Sequence, residues 1–281
     1  MTNSAAEPTV CVITTLLDAD RGQFEAAATS IASQTFRDFE WVIHECGPRG
    51  CAEDVLSGFD LPHVHIERDQ EVISLAAGRN RAIEKARGKL LAIFDGDDVC
   101  DPSRLERQVR HFAAHPEVDV LGGAIECIDS DDRSLGYRAY PATHEGIIRL
   151  AHRQNPMAHP TVMMRRTALS AVGGYRDYGE GACDDYELWS RMLKHGAHFA
   201  NLKEVVLRYR MHAGTTKSRR LRATLRDTLQ VKRDYWSEGR NFGDRLRTLG
   251  ERMLLGAPPK FVNWCFGKVT LRKSLRQERS S

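Results

Sequence analysis

The sequence predicts an α/β fold, in which a mostly parallel central sheet is flanked by helices and followed by a basic helical extension. Three observations carry this. Short apolar runs alternate with helix-length segments through residues 1–100, acidic or polar residues follow directly on those runs, and the charge balance changes sign near residue 216. At 281 residues, 41% hydrophobic and 28% charged, the chain suits one globular domain with an appendage.

In order, residues 10–15 read as a buried strand, 24–33 as a helix, 40–44 and 64–67 as strands, 75–86 as a helix and 90–94 as a fourth strand. A helix is expected to begin near Pro102, with Asp101 or Ser103 as its cap. Past residue 117 the rhythm loosens. Residues 118–128, 135–140 and 205–211 are further strand candidates, 184–194 reads as a helix, and 129–133 as a solvated hairpin turn.

Several function classes drop out at this stage. No run approaches the ~18 consecutive apolar residues of a membrane-spanning helix. Residues 1–9 lack the basic and apolar regions of a secretory leader, so a cytoplasmic protein is expected. Seven cysteines, odd in number and without C-x-x-C spacing, argue against a disulfide framework or a zinc site. No G-x-G-x-x-G follows the first strand, which argues against a dinucleotide-binding domain.

The charge split divides the chain into a catalytic domain, 1–216, and an extension, 217–281. The extension holds 17 Lys and Arg against 6 Asp and Glu, a net of +11, which leaves −8 before it. Leu246, Leu249, Met253 and Leu254 fall at helical spacing, and Phe261, Trp264 and Phe266 stand among Lys260, Lys268, Arg272 and Lys273. This pattern fits contact with an anionic membrane through residues 240–276. It fits equally an amphipathic cap docked on the domain with its arginines in water. No motif for reading nucleic acid accompanies the charge, and no nucleic-acid partner is expected.

Ligands on sheets of this kind gather at the carboxyl ends of the strands. The fourth strand ends there in Asp95, Gly96, Asp97 and Asp98, three carboxylates within four residues. Two charges about 4 Å apart repel by roughly 4 kcal/mol at an effective dielectric near 20, so the cluster asks for a cation. Magnesium or manganese, with oxygen ligands and open positions for a diphosphate, is the natural guest. The plainer reading is a solvated turn ahead of a capped helix. Asp184 and Asp185 pose the same choice, between caps that favour the helix dipole and a general base facing a pocket.

Taken in order, these segments resemble the family-2 glycosyltransferases, inverting enzymes of the Rossmann-like GT-A fold that use nucleotide-diphosphate sugars. The resemblance spans about residues 8–216. It rests on Pro8-Thr-Val-Cys-Val-Ile-Thr-Thr15, Ser30-Ile-Ala-Ser-Gln-Thr-Phe36 with Phe39-Glu-Trp-Val-Ile43, and Ala77-Gly-Arg-Asn80 leading to Ala86-Arg-Gly-Lys-Leu-Leu-Ala-Ile-Phe-Asp-Gly-Asp-Asp98. It continues through His159-Pro-Thr-Val-Met-Met-Arg-Arg166, Val172-Gly-Gly-Tyr-Arg-Asp177, Asp184-Asp-Tyr-Glu-Leu-Trp189 and Tyr209-Arg-Met-His212.

The resemblance implies a role for each of these positions. Asp95 and Gly96 would meet the ribose side of the nucleotide, Asp97 the divalent ion, and Asp98 would support the turn. Asp185 would be the catalytic base, with Asp184 where the family has Glu. Thr15, Glu45, Arg79 and Asn80 would line the nucleobase and diphosphate pocket, and His212 would close over metal and diphosphate. Tyr137, Arg138, His159 and the turn at Gly173, Gly174 and Tyr175 lie where the family varies with acceptor, although the glycines also suit a left-handed helix end.

Two departures bear on the donor. Leu17 and Asp18 replace an aromatic and Asn, and Glu45, Cys46, Gly47 and Pro48 replace Asp-Asp-Gly-Ser. Uridine is the family's default nucleotide, with guanosine and thymidine open. The implied function is transfer from a nucleotide-diphosphate sugar to a glycan or lipid-linked acceptor in envelope polysaccharide synthesis. The protein would be cytoplasmic or peripheral on the inner membrane face. A sugar nucleotidyltransferase would need a Gly-rich basic loop that residues 14–19 lack. A non-catalytic nucleotide-sugar-binding scaffold is the other rival, suggested by the altered base pocket.

Overall fold

The computed structural model describes residues 7–48, 50–61, 63–179, 183–211, 221–238 and 242–256. Its N-terminal half follows the predicted alternation. Strand β1 (Val10–Leu17) pairs in parallel with β2 (Phe39–Cys46) on one side and β4 (Leu90–Ile93) on the other, and β3 (Val64–Asp69) extends the parallel sheet beyond β2. β2 and β4 are buried along their whole length, because helices cover both faces of a parallel sheet. Alternate β1 residues feed two cores. Val10 and Val12 pack with Phe24, Trp41 and Phe94, while Cys11 and Ile13 pack with Leu91, Met164, Leu188 and Trp189.

The helices begin where short polar side chains can cap them. Helix α1 (Arg21–Ala32) starts after Asp20, whose carboxylate accepts the Gln23 N–H at 3.0 Å. Helix α2 (Ala52–Leu56) is a short turn, and α3 (Leu75–Lys85) starts after Ser74, whose hydroxyl accepts the Ala77 N–H at 3.1 Å. Helix α4 (Arg104–Ala114) follows Pro102, and Asp101 accepts the Ser103 N–H at 2.9 Å.

The second half is mixed. The remaining strands are β5 (Val99–Cys100), β6 (Val120–Ile128), β7 (Ser134–Arg138), β8 (Met163–Arg165) and β9 (Phe199–Arg210), giving the order β3-β2-β1-β4-β8-β6-β9-β5 with β7 on β6. β8 runs antiparallel to both β4 and β6 and joins the halves. At three residues it is too short to show a period in sequence. β9 begins at Phe199, six residues before the predicted 205–211, because register shifts against β6 around Ala124 break the alternation there. Helices α5 (His144–Ala151) and α6 (Arg166–Ala171) precede α7 (Asp184–Lys194), which has the predicted bounds.

The described part of the extension is two helices, α8 (Leu221–Tyr235) and α9 (Phe242–Leu255). One side of this pair packs on the main domain. Val231 and Trp236 bury against Ala151 and Tyr186, and Trp236 Nε1 donates to Ser190 Oγ on α7 at 2.8 Å. Buried Lys232 pairs with Glu251, joining α8 to α9, and Asp244 pairs with Arg153 at 2.6 Å. Leu246, Leu249 and Met253 stay exposed along α9. Phe261, Trp264, Phe266 and the rest of 257–281 lie outside the described residues. Among the described residues, no helix is long and apolar enough to cross a membrane.

Candidate active site

The acid turn follows β4. Its backbone closes through Asp98 N–H to Asp95 O at 3.3 Å. A Cβ on Gly96 would stand 2.2 Å from Leu16 Cδ2, so a larger residue there would force the buried Leu16 side chain to move. Asp98 is fully buried. Its Oδ1 accepts the Arg210 N–H at 2.8 Å and its Oδ2 has no partner. Burial first, and then the charges of Asp97 and Asp95, push the Asp98 carboxyl well above the usual carboxylate range.

Two buried arginines hold this turn through main-chain carbonyls. Arg104 Nη2 donates to Ile93 O at 2.7 Å, and Arg210 Nε donates to Asp97 O at 2.8 Å. Arg210 also reaches Asp129 O at 3.1 Å and Asp132 Oδ1 at 2.8 Å. The 129–133 turn is the predicted hairpin, with Asp129 Oδ1 accepting the N–H groups of Asp131 and Arg133, each at 2.9 Å. The hairpin is exposed, as expected, and Arg210 ties it to the acid turn.

A divalent cation fits this chemistry. The turn offers hard carboxylate oxygens, and one of them, the buried Asp98 Oδ2, has no partner. Among the described residues no group of three His, Cys, Asp or Glu is arranged to hold a metal ion. Magnesium-type sites commonly use one or two carboxylates together with substrate phosphates, so a fuller protein cage is not required. His212 lies outside the described residues.

The start of α7 supplies the second carboxylate group. Asp184 and Asp185 are 8% and 5% exposed. Asp184 forms a buried ion pair with Arg79, and Asp185 Oδ2 accepts from Asn155 Nδ2 at 2.7 Å. Burial alone would lower the Arg79 pKa, yet Asp184, followed by Asp95, Tyr175 and Asp185, holds it above its ordinary value. Arg79 therefore joins the acid turn and the α7 carboxylates in one electrostatic neighbourhood. Its guanidinium lies 5.4 Å from the Tyr175 ring centre, and Tyr175 Oη lies 3.0 Å from His159 Nε2. His159 and Tyr175 are buried, and the pair backs the Arg79 guanidinium.

Asn80 and Glu45 each bond backbone groups of the chain, and Glu45 Oε2 also faces Arg68 Nε at 3.9 Å. Asn80 brackets Tyr175, donating to its carbonyl and accepting from its N–H, each at 2.9 Å. Gly173 and Gly174 have φ of +77° and +76°, the left-handed helix end, and a Cβ on Gly174 would come within 2.8 Å of Asn80 Oδ1. Glu45 Oε1 accepts the N–H groups of Cys51 and Ala52 at 2.6 and 3.2 Å, fixing the start of α2. Thr15, opposite His44 in the β1–β2 register, keeps a buried hydroxyl without a partner beside Gly78.

Three contributors escaped the sequence reading. Arg104 and Arg210 stand in segments already singled out, but nothing in the chain signals that an arginine will fold back onto a strand-end carbonyl. Asn155 has only the following Pro156 to mark it as a turn residue.

Residues 12–173, more than half of the chain, match the family model for glycosyl transferase family 2. The O-antigen biosynthesis glycosyltransferase WbnJ of Escherichia coli is 30% identical over 196 residues, 67% of this chain and 74% of WbnJ. The amylovoran biosynthesis glycosyltransferase AmsE of Erwinia amylovora is 28% identical over 160 residues, 57% and 59% of the two chains. An uncharacterized glycosyltransferase of Haemophilus influenzae is 33% identical over 128 residues, so the match spans 46% of that relative's length. Among solved structures, the mannosyltransferase PcManGT from Pyrobaculum calidifontis, in complex with GDP-Man and Mn2+, superposes with a TM-score of 0.60 over 91% of this chain and 72% of its own, at 17% identity. Staphylococcus aureus TarS 1–349 with UDP-GlcNAc gives 0.59 over 92% and 73%, at 15% identity. The fold is GT-A. The family match across both the acid turn and the Arg79 helix assigns the chain to glycosyl transferase family 2.

Proposed function

We propose that the protein transfers a sugar, with inversion, from a UDP-linked donor to a hydroxyl of a glycan or lipid-linked acceptor in cell-envelope polysaccharide synthesis. The observation that carries this reading is the buried ion pair of Arg79 with Asp184, which ties the helix carrying Ala77-Gly-Arg-Asn80 to the carboxylates that open α7. Asp185 takes the proton of the acceptor hydroxyl, whose oxygen attacks the anomeric carbon as the bond to the diphosphate breaks. A positioned base of this kind is worth about 10² to 10⁴ in rate. Asp97 and His212 would hold the ion, Asp95 and Gly96 would meet the ribose, Thr15, Glu45, Arg79 and Asn80 would border the nucleotide, and Asp98 with Asp184 would keep the two carboxylate groups in place. A divalent cation, manganese or magnesium, supplies positive charge to the departing diphosphate.

The relatives support the substrate class. WbnJ and AmsE carry the names of O-antigen and amylovoran biosynthesis. A third relative from E. coli, 24% identical over 147 residues, is named for galactose transfer from UDP-Gal to GlcNAc-diphosphoundecaprenol. PcManGT with GDP-Man keeps guanosine as the alternative donor base. A lipid-linked acceptor also gives the exposed Leu246, Leu249 and Met253 stripe a use, since it lies within an extension of net charge +11. Peripheral contact through 240–276 with the inner membrane face is part of the proposal. Flotation with phosphatidylglycerol vesicles but not with phosphatidylcholine vesicles is expected, and loss of flotation in a Leu246→Glu, Met253→Glu variant.

Incubation with UDP- and GDP-sugars, manganese and a synthetic GlcNAc-diphosphate lipid tests the activity. Transfer of one sugar with inverted anomeric configuration by NMR is the expected result. A retained configuration, or full transfer by Asp185→Asn, contradicts the mechanism.

A further inference from the structure

We propose that Asn155 is a positioning residue for the general base, and that α9 fastens the loop that carries it. The inference rests on the reading of Asp185 as base. Asn155 Nδ2 donates to Asp185 Oδ2 at 2.7 Å, and Asn155 Oδ1 accepts the Met157 N–H at 3.3 Å. The second bond settles which way the amide faces: a main-chain N–H can only donate, so the oxygen must turn to Met157 and the NH2 to the carboxylate. Asp185 Oδ1 meanwhile accepts the Tyr186 N–H at 2.7 Å. Both oxygens are therefore restrained, one by the helix and one from the loop, and the plane of the carboxylate is set.

The loop is itself held from the C-terminal extension. Arg153 Nε donates to Asp244 Oδ1 at 2.6 Å and Arg247 Nη2 donates to Gln154 Oε1 at 3.2 Å, so the two residues before Asn155 are both bonded to α9. Two elements distant in sequence thus fix one side-chain torsion of the base. A misplacement of about 1 Å at a reacting group can cost on the order of 10²-fold in rate.

Asn155→Asp separates positioning from packing. It keeps the shape and the acceptor for Met157 N–H, and replaces the donor facing Asp185 with an oxygen. Steady-state transfer is followed with UDP-glucose or UDP-galactose, manganese and the GlcNAc-diphosphate lipid, beside Asn155→Ala, Asp244→Asn and Asp185→Asn. The expected result is a kcat loss of about 10- to 100-fold in Asn155→Asp, at least as large as in Asn155→Ala, with donor KM within about twofold of the parent. Asp244→Asn should lower kcat in the same direction by a smaller factor. Parental kcat in Asn155→Asp, or a loss confined to donor KM, overturns the positioning role. Full transfer by Asp185→Asn would instead remove the base assignment itself, a distinct result because it leaves nothing for Asn155 to orient.

Discussion

At the end of β4 three carboxylates stand within four residues, and the arginine side chains that hold the turn bond main-chain carbonyls, Arg104 at Ile93 and Arg210 at Asp97. At the start of α7 two carboxylates stand side by side and each is met by a side-chain donor, Arg79 on Asp184 and Asn155 on Asp185. The difference is one of completeness. The α7 pair is oriented by the protein's own groups, whereas the turn keeps a buried Asp98 oxygen without a partner and a carboxyl pushed well above its usual range. On the proposed reading, the turn takes up charge that arrives with the substrate and α7 supplies the base.

Exchanging the two kinds of carboxylate should break the comparison most sharply. Asp97→Asn and Asp185→Asn are each expected to lower kcat by about 10²- to 10⁴-fold. They should differ in calorimetry: Asp185→Asn retains UDP binding in manganese, and Asp97→Asn loses its metal-dependent part. Equal donor binding by both variants would mean that the turn and α7 do not divide the work in this way.

Next in size is the buried pair. Arg79→Met removes the guanidinium from buried Asp184, which should cost about 3–5 kcal/mol in urea unfolding. The double variant Arg79→Met, Asp184→Leu should regain a good part of that loss. Strict additivity of the two single changes would show that the pair is not coupled.

The smallest effect concerns Glu40, which sharpens the contrast with Asp98. Glu40 is also fully buried, and burial alone would raise its pKa. It nevertheless lies below its ordinary value, because it accepts from the Arg87 and Gly88 N–H groups and the Arg87 guanidinium. A depressed carboxylate stabilises the fold above its unfolded pKa, about 4.3, and that contribution is lost as pH falls through the lower folded value. Glu40→Gln should therefore flatten the decline of Tm below about pH 4.5. An unchanged slope would remove the role given to those donors.

Legibility from sequence follows the same division of the molecule. The parallel half could be read because β1, β2 and β4 are buried on both faces and stand out as apolar runs between helical spacings. The mixed half resisted, because β8 is three residues long and β9 is out of step with β6 near Ala124. In the site, Asp95, Asp97, Asp98, Asp184 and Asp185 were legible as local clusters. The grip of Arg79 on Asp184 spans 105 residues and that of Arg210 on Asp98 spans 112, and separations of that kind leave no local pattern. Asn80 and Glu45 show the converse. The resemblance marked both positions, but the backbone groups they bond, those of Tyr175 for Asn80 and of Cys51 and Ala52 for Glu45, are set by tertiary packing.

The most direct test is thermal unfolding of the full chain and of Asp97→Asn with UDP and GDP, each with and without manganese. A ligand present at 100 times its dissociation constant stabilises a native protein by about 2.7 kcal/mol. The account predicts a manganese-dependent rise in Tm with UDP for the parent, and none in Asp97→Asn. An equal rise in both proteins, or one that does not depend on manganese, would contradict the assignment of the acid turn as the cation and diphosphate site.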